Sequence, residues 1–151
     1  MKKILVIAVL GLMIYACSNN ESSKKDEAEK KSDVETYDPN RGAGKFTSVE
    51  VSPTLDKPKA EAGQKVYDVK CASCHKLTDE KLVGPGWKGV TGRHKPEWIM
   101  NFVTNPDEML QKDAKAQAML EICLVRMPNQ NLTEDEARNV FEYMRKNDGV
   151  Q

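Results

Sequence analysis

Apolar residues recur at helical spacing through the second half of the chain and predict amphipathic helices. In the last of these, four apolar residues at i, i+3, i+4 and i+7 form one face: Ala137, Val140, Phe141 and Met144. Thr133 and Glu136 have the spacing of a capping box and predict where this helix begins. Further helices are predicted over residues 60–74, 97–103 and 113–124. The weak alternation at 46–51 is not assigned as a strand.

The N-terminus has the pattern of an export signal. Two lysines precede an apolar run that ends at Ala16, which predicts a signal peptide over residues 1–16. The run into Cys17 resembles a bacterial lipobox, so Cys17 is the predicted site of lipidation, although Tyr15 stands where a small residue is usual. The alternative is a plain signal peptide that contains a cysteine.

Polar residues dominate the segment that follows. Residues 17–56 carry 9 acids and 6 bases and little apolar surface, so we predict a disordered tether there. This leaves residues 57–151 for one small domain, a size that often needs a disulfide, a metal or a bound cofactor for stability.

Composition excludes several classes of protein. Lys and Arg total 23, as do Asp and Glu, so the basic excess of a general nucleic-acid-binding protein is missing. No apolar run reaches the length of an uncleaved membrane span. Neither the Rossmann nor the P-loop glycine fingerprint is present.

The pattern C-x-x-C-H at Cys71, Cys74 and His75 carries the candidate chemistry. It is the attachment sequence for c-type haem: at helical spacing both thiols share a face, and the imidazole reaches the iron from the same side. The alternatives are a thioredoxin-like redox pair, which lacks a βαβ context, a zinc site that includes Cys123, and a simple disulfide.

Residues 60–148 also resemble a class I c-type cytochrome. Gly63 and Tyr67 precede the haem motif at the spacing of the family's first helix, and the final aromatic helix matches too. The segment from 83 to 93 reads VGPGWKGVTGR and resembles the family loop that follows the proximal histidine. Arg126-Met127-Pro128 resembles the loop that delivers an axial methionine.

This resemblance implies an all-α cytochrome c fold of about four to five helices around one haem, bound covalently through Cys71 and Cys74. It implies iron ligation by His75 and Met127. It also places Pro85, Trp87 and Arg93 in the cofactor-binding loop. Pro85 is expected against the imidazole, with the carbonyl before it orienting the ring.

Trp87 stands where the family usually has leucine, and its role, packing or a hydrogen bond to a haem propionate, stays open. The resemblance further implies that Gly63 lets the last helix cross closely, and we expect Phe141 to pack over it.

Other residues compete for the sixth ligand position. Met109 lies in a predicted connecting segment and is the main rival of Met127, whereas Met100 and Met119 are expected in the core. His94 is the alternative nitrogen ligand. The unpaired Cys123 is interpreted as a buried thiol, with a redox-switchable ligand and an intermolecular disulfide as alternatives.

The expected function is that of a membrane-tethered periplasmic electron carrier, without enzymatic activity. The alternative is a haem-based redox or gas sensor, or a small haem-enzyme subunit with a displaceable ligand. Residues 65–95 carry 7 bases and 3 acids, which favours docking onto an acidic redox partner. By analogy, donors and acceptors are respiratory, such as a terminal oxidase or a nitrogen-oxide reductase. Ser18 slightly favours the outer membrane.

Overall fold

The structure is a computed structural model and describes residues 37–151. Within this range the regular elements are helices: α1 Lys57–Lys70, α2 Val90–Arg93, α3 Pro96–Thr104, α4 Pro106–Lys112, α5 Ala114–Cys123 and α6 Glu134–Asn147. The predicted all-α class is confirmed. None of the described helices is both long and apolar enough to cross a membrane.

Helices α1 and α6 cross at Gly63. A Cβ added to this glycine would lie 1.9 Å from the carbonyl oxygen of Asn139 and 2.9 Å from the amide nitrogen of Val140. The predicted close crossing is therefore present. The three nearest atoms to such a Cβ belong to the α6 backbone at Asn139 and Val140, and the expected packing of Phe141 over Gly63 stays a prediction.

Helix α6 begins as its sequence indicates. The Thr133 hydroxyl accepts from the Glu136 amide, and the Glu136 carboxylate accepts from the Thr133 amide, which completes the capping box. Its buried face fills the centre of the core together with α1 and α3.

Helix α4 differs from the sequence prediction. The sequence predicts no helix between residues 103 and 113 and places Met109 in a connecting segment. Instead the Asn105 side chain accepts from the Glu108 amide and caps a new helix, in which Pro106 occupies the first turn. Met109 is fully buried in this helix.

The segment 37–56, here called the N-terminal strap, also differs from the prediction of a tether as far as residue 56. Its backbone is bonded to the helices through buried polar side chains. Asn101, only 1% exposed, accepts from the Phe46 amide and donates to the carbonyls of Arg41 and Phe46. Arg145 donates to the Ser52 carbonyl. The strap is therefore part of the folded domain.

Candidate haem site

The two motif cysteines lie in a turn that continues the course of α1. The helix ends at Lys70, not within the motif as predicted, but the His75 and Cys74 amides both donate to the Cys71 carbonyl, at 2.9 and 3.0 Å. This turn keeps the motif compact. Neither cysteine is in a disulfide, and burial raises the pKa of the Cys71 thiol to about 11. Both sulfurs are thus available as thiols for attachment.

The His75 ring is held by the loop that follows the motif. Its Nδ1 lies 2.8 Å from the carbonyl oxygen of Pro85, so Nδ1–H donates and Nε2 is left as the metal-binding atom. The resemblance implied the carbonyl before the proline; the structure uses the proline's own. A Cβ on Gly84 would lie 2.3 Å from the His75 ring, so this glycine also lies in close contact with the imidazole.

Burial lowers the pKa of His75, and the hydrogen bond to Pro85 partly opposes this effect. The net shift of the His75 pKa is downward, which favours the neutral imidazole, the form that binds a metal. The bond to the carbonyl also fixes the tautomer and increases the basicity of the ligand nitrogen.

Aromatic rings support the other side of the motif. The buried Trp87 ring lies 4.8 Å from Tyr67 and 5.8 Å from His75, measured between ring centroids. The Tyr67 hydroxyl donates to the backbone carbonyl of His75 at 2.7 Å. Trp87 therefore packs beside the imidazole.

Arg93 fastens the same loop. Its guanidinium donates to the carbonyls of Gly86 and Lys88, while the side chain stays exposed at the edge of a cavity. Lys81 and Lys88 line this cavity as well, so three cations and Asp79 form its charged rim.

The cavity has a volume of about 290 Å³ and mixed walls. Pro85 and Gly86 belong to the loop that holds His75, whereas Met119, Ile122 and Cys123 belong to α5. Several large apolar side chains of the neighbouring segments are exposed: Leu82, Val83, Ile122, Leu124 and Val125.

A haem fits this arrangement. Two free thiols and an imidazole nitrogen are the groups needed for covalent attachment and iron ligation. The exposed apolar side chains can pack against the haem ring, and the cations can pair with the haem carboxylates.

Comparison with known proteins agrees with this geometry. The cytochrome c family profile matches residues 60–148, more than half of the chain. The chain belongs to the cytochrome c family. It therefore binds haem c covalently through Cys71 and Cys74, and its domain serves haem-based electron transfer.

Solved cytochromes are similar in structure. Cytochrome c from Rhodothermus marinus is 30% identical, with a TM-score of 0.67 over 70% of this chain and 90% of that one. An engineered form of that protein, bound to a carbene intermediate, gives 30% identity and a TM-score of 0.66 over 74% and 98%. The cytochrome c domain of a Pseudomonas putida protein gives 27% and 0.50, over 56% and 85%. No curated protein sequence matched.

The methionines of this cytochrome c separate by environment. Met100 is 4% exposed in α3, and Met109 is fully buried with its sulfur 3.1 Å from the Ala43 amide. Met127 is half-buried on the loop between α5 and α6. Met119 is half-buried and lines the cavity, a placement that the helical pattern did not indicate because it suggested only a core position.

His94 lies in a different cluster. Its ring stacks on Trp98 at 3.9 Å between centroids, and its Nδ1 is buried without a hydrogen-bond partner. It shares neither the loop contacts nor the cavity wall of the haem site. Cys123 is half-buried and lines that wall. The predicted lipidation site, Cys17, lies outside the residues that the structure describes.

Proposed function

We propose that this cytochrome c is a lipid-anchored periplasmic electron carrier with one haem ligated by His75 and Met127. The observation that carries the proposal is the bond from His75 Nδ1 to the Pro85 carbonyl, which leaves Nε2 as the ligand atom. The haem supplies the chemistry, cycling between Fe(III) and Fe(II). The protein holds it, adjusts its potential and presents it to partners, and no substrate is turned over.

Met127 is the proposed sixth ligand because it lies half-buried on the loop between α5 and α6, where the family resemblance expects the ligating methionine. Met100 and Met109 are held in buried helices, and the Met109 sulfur already accepts a backbone hydrogen bond. Met119 lines the cavity, so it is the alternative ligand against which Met127 is tested. With a haem bound, a thioether ligand together with the imidazole would favour ferrous iron and raise the reduction potential, which suits a carrier.

Absorption spectra of the haem-loaded protein test this assignment. We expect a sharp ferrous α-band and a weak near-infrared methionine–iron band in the ferric form. Met127→Ala should abolish the near-infrared band, and Met119→Ala should keep it. Loss of the band in Met119→Ala alone would transfer the ligand role to Met119, whereas a high-spin ferric wild type would contradict the carrier.

The charged rim supports docking onto acidic respiratory partners, such as a terminal oxidase or a nitrogen-oxide reductase. Lys81 donates to the Ile122 carbonyl and Arg93 donates to loop carbonyls, so these bonds leave the positive charges without a carboxylate. Exposed apolar side chains adjoin them. Cations around an apolar centre are suited to fast, salt-sensitive association.

Electron-transfer rates measured against ionic strength test the docking proposal. Lys88→Gln should lower the second-order rate at low salt and flatten its salt dependence. The control is Lys45→Gln, which removes a charge already paired with Glu134 at 2.6 Å. Equal effects of the two variants, or a wild-type rate independent of salt, would refute the proposed surface.

Membrane attachment is proposed through lipid on Cys17, with the domain on the periplasmic side and the outer membrane slightly favoured. Two or three acyl chains anchor a protein stably, where one does not. Incorporation of a labelled fatty acid that disappears in Cys17→Ser, together with release of that variant from membranes, is the expected result. Unlabelled wild-type protein would contradict it.

A second function, sensing or small-molecule chemistry at a displaceable sixth ligand, has one observation in its favour. Within the described chain, apart from the Thr133 cap of α6, polar side-chain contact from the Met127 loop to the helices is limited to an exposed ion pair, Arg126 to Asp107 at 3.4 Å. Exposed pairs of this kind contribute little. Carbon monoxide binding to the ferrous protein at neutral pH would favour this function, and its failure to bind would favour the carrier.

A further inference from the structure

A carboxylate at the end of α6 is bonded to the start of α2, where the loop that holds His75 ends. Asp148 follows the last residue of the helix, and its Oδ1 accepts from the Gly89 amide at 2.6 Å. Its Oδ2 accepts from the Thr91 amide at 2.9 Å and from the Thr91 hydroxyl at 2.6 Å. Three donors thus converge on one ionised side chain, and hydrogen bonds to charged groups are the stronger kind.

The segment that Asp148 holds is continuous with the support of His75. Gly89 is four residues beyond Pro85, whose carbonyl accepts from His75 Nδ1. On its other side the loop is bonded to the haem-motif segment, because the Trp87 amide donates to the Lys76 carbonyl. The loop is therefore fixed between the motif and α6, and Asp148 makes its attachment to α6.

The neighbouring residue of α6 reinforces this connection. The Asn147 side chain donates to the carbonyl of Leu77 at 3.0 Å, just beyond the motif. The end of α6 therefore contacts both chain segments whose relative position sets the distance from Pro85 to His75. The hydrogen bonds of the Asp148 and Asn147 side chains go to these two segments and not to the imidazole.

We propose that Asp148 is a positioning residue for His75, acting through the loop to keep the Pro85 carbonyl on Nδ1. This inference rests on the proposed ligation by His75. Loss of the carboxylate lets the loop move away, which weakens the Nδ1 bond and makes the ligand nitrogen less basic. A less basic ligand stabilises ferric iron less, so the reduction potential shifts to a more positive value.

The test uses the haem-loaded protein and two readouts. In ferrous protein, NMR should show the His75 Nδ1 proton exchanging with solvent about tenfold faster in Asp148→Asn, as expected for loss of charge-assisted bonds. The reduction potential should become more positive. Thr91→Val removes one bond without altering charge and should change both readouts in the same direction by less.

A matched control separates geometry from charge. Asp135→Asn removes the same charge from the exposed first turn of α6 and should leave proton exchange unchanged. A shifted potential with unchanged exchange in Asp148→Asn would reduce the role of the carboxylate to simple electrostatics and overturn the proposal. Lower global stability with both readouts unchanged would also overturn it.

A different result would contradict the proposed ligation by His75. Wild-type protein without a histidine-ligated low-spin spectrum would contradict His75 as ligand. Normal wild-type spectra with an unaffected Asp148→Asn would contradict only the positioning role.

Discussion

Substitution of Gly63 by alanine tests the packing on which the domain depends. The added Cβ would lie 1.9 Å from the carbonyl oxygen of Asn139, whereas ordinary contacts begin near 3.4 Å. Helices α1 and α6 would have to separate by about 1.5 Å, because the obstacle is backbone and cannot rotate away. This is the extensive contact between the first and last helices of the fold.

The magnitude follows from two opposing effects. Alanine in a helix interior is favoured over glycine by about 1 kcal/mol. Overpacking of a tight contact costs about 1–3 kcal/mol, and a clash with backbone belongs at the upper end. We therefore expect Gly63→Ala to lose about 2 kcal/mol of unfolding free energy.

Urea unfolding of the haem-loaded protein provides the assay. With a slope of about 1–3 kcal/mol per molar urea, the midpoint should fall by about 1 M. Gly92→Ala is the control, since a Cβ on this α2 glycine meets nothing within 4 Å, and it should be neutral or slightly stabilising. A Gly63→Ala midpoint equal to or above that of Gly92→Ala would refute the packing argument.

Three further predictions concern the site and its supports. Gly84→Ala brings a Cβ to 2.3 Å from the His75 ring and should displace the imidazole, seen as an altered ferric spectrum; an unchanged spectrum would contradict the contact. Burial and a bond to a buried aspartate raise the pKa of Tyr37 to about 12, so the stability it adds is present below pH 10 and lost as pH rises toward 12. The side chain is 41% exposed, so the effect should stay below about 1 kcal/mol, and Tyr37→Phe should remove it from unfolding curves. Glu142→Gln leaves Arg145 buried without its carboxylate and should lower the unfolding free energy, measured in urea, by about 3–5 kcal/mol. A loss of only a fraction of that would mean that the pair is solvated.

Local signals explain what the sequence predicted well. The capping box of α6 and the C-x-x-C-H turn depend on residues three or four apart, so their spacing already contains the geometry. The residue at which α1 ends could not be predicted from such spacing. Hydrogen bonding of the helical kind runs through Cys71 to His75 although the regular helix ends at Lys70. The residue spacing predicts a helical turn at the haem motif, but not whether that turn belongs to the regular α-helix.

Helix α4 shows how one signal can have two meanings. A proline disfavours helical geometry in the residue before it, and it is also well suited to the first turn of a helix. Asn105 and Pro106 do both, ending α3 and starting α4. The position of Met109 followed from that choice, so a rival ligand in the sequence became a core residue in the structure.

The contacts of the loop at the haem site could not be predicted from local sequence patterns, because they join residues far apart in the chain. The bonds from Asp148 to Gly89 and Thr91 join residues 57 to 59 positions apart. An aspartate after a helix is ordinary in sequence, and only the crossing of α6 over α1 brings it to the haem loop. The only indication in the sequence was that Asp148, a polar residue just beyond the end of α6, has no evident local role.

The strap matters most for how far the carrier can reach. Composition predicted a tether because it counts apolar side chains, but the strap is held by buried Asn101 and Arg145 through its backbone. Cys17 then lies only 20 positions before Tyr37, the residue at which the fold begins to hold the chain. Twenty residues span at most about 70 Å, half the limit for forty. A lipid on Cys17 would therefore confine the haem domain, and any partner it reduces, to a shell near the membrane.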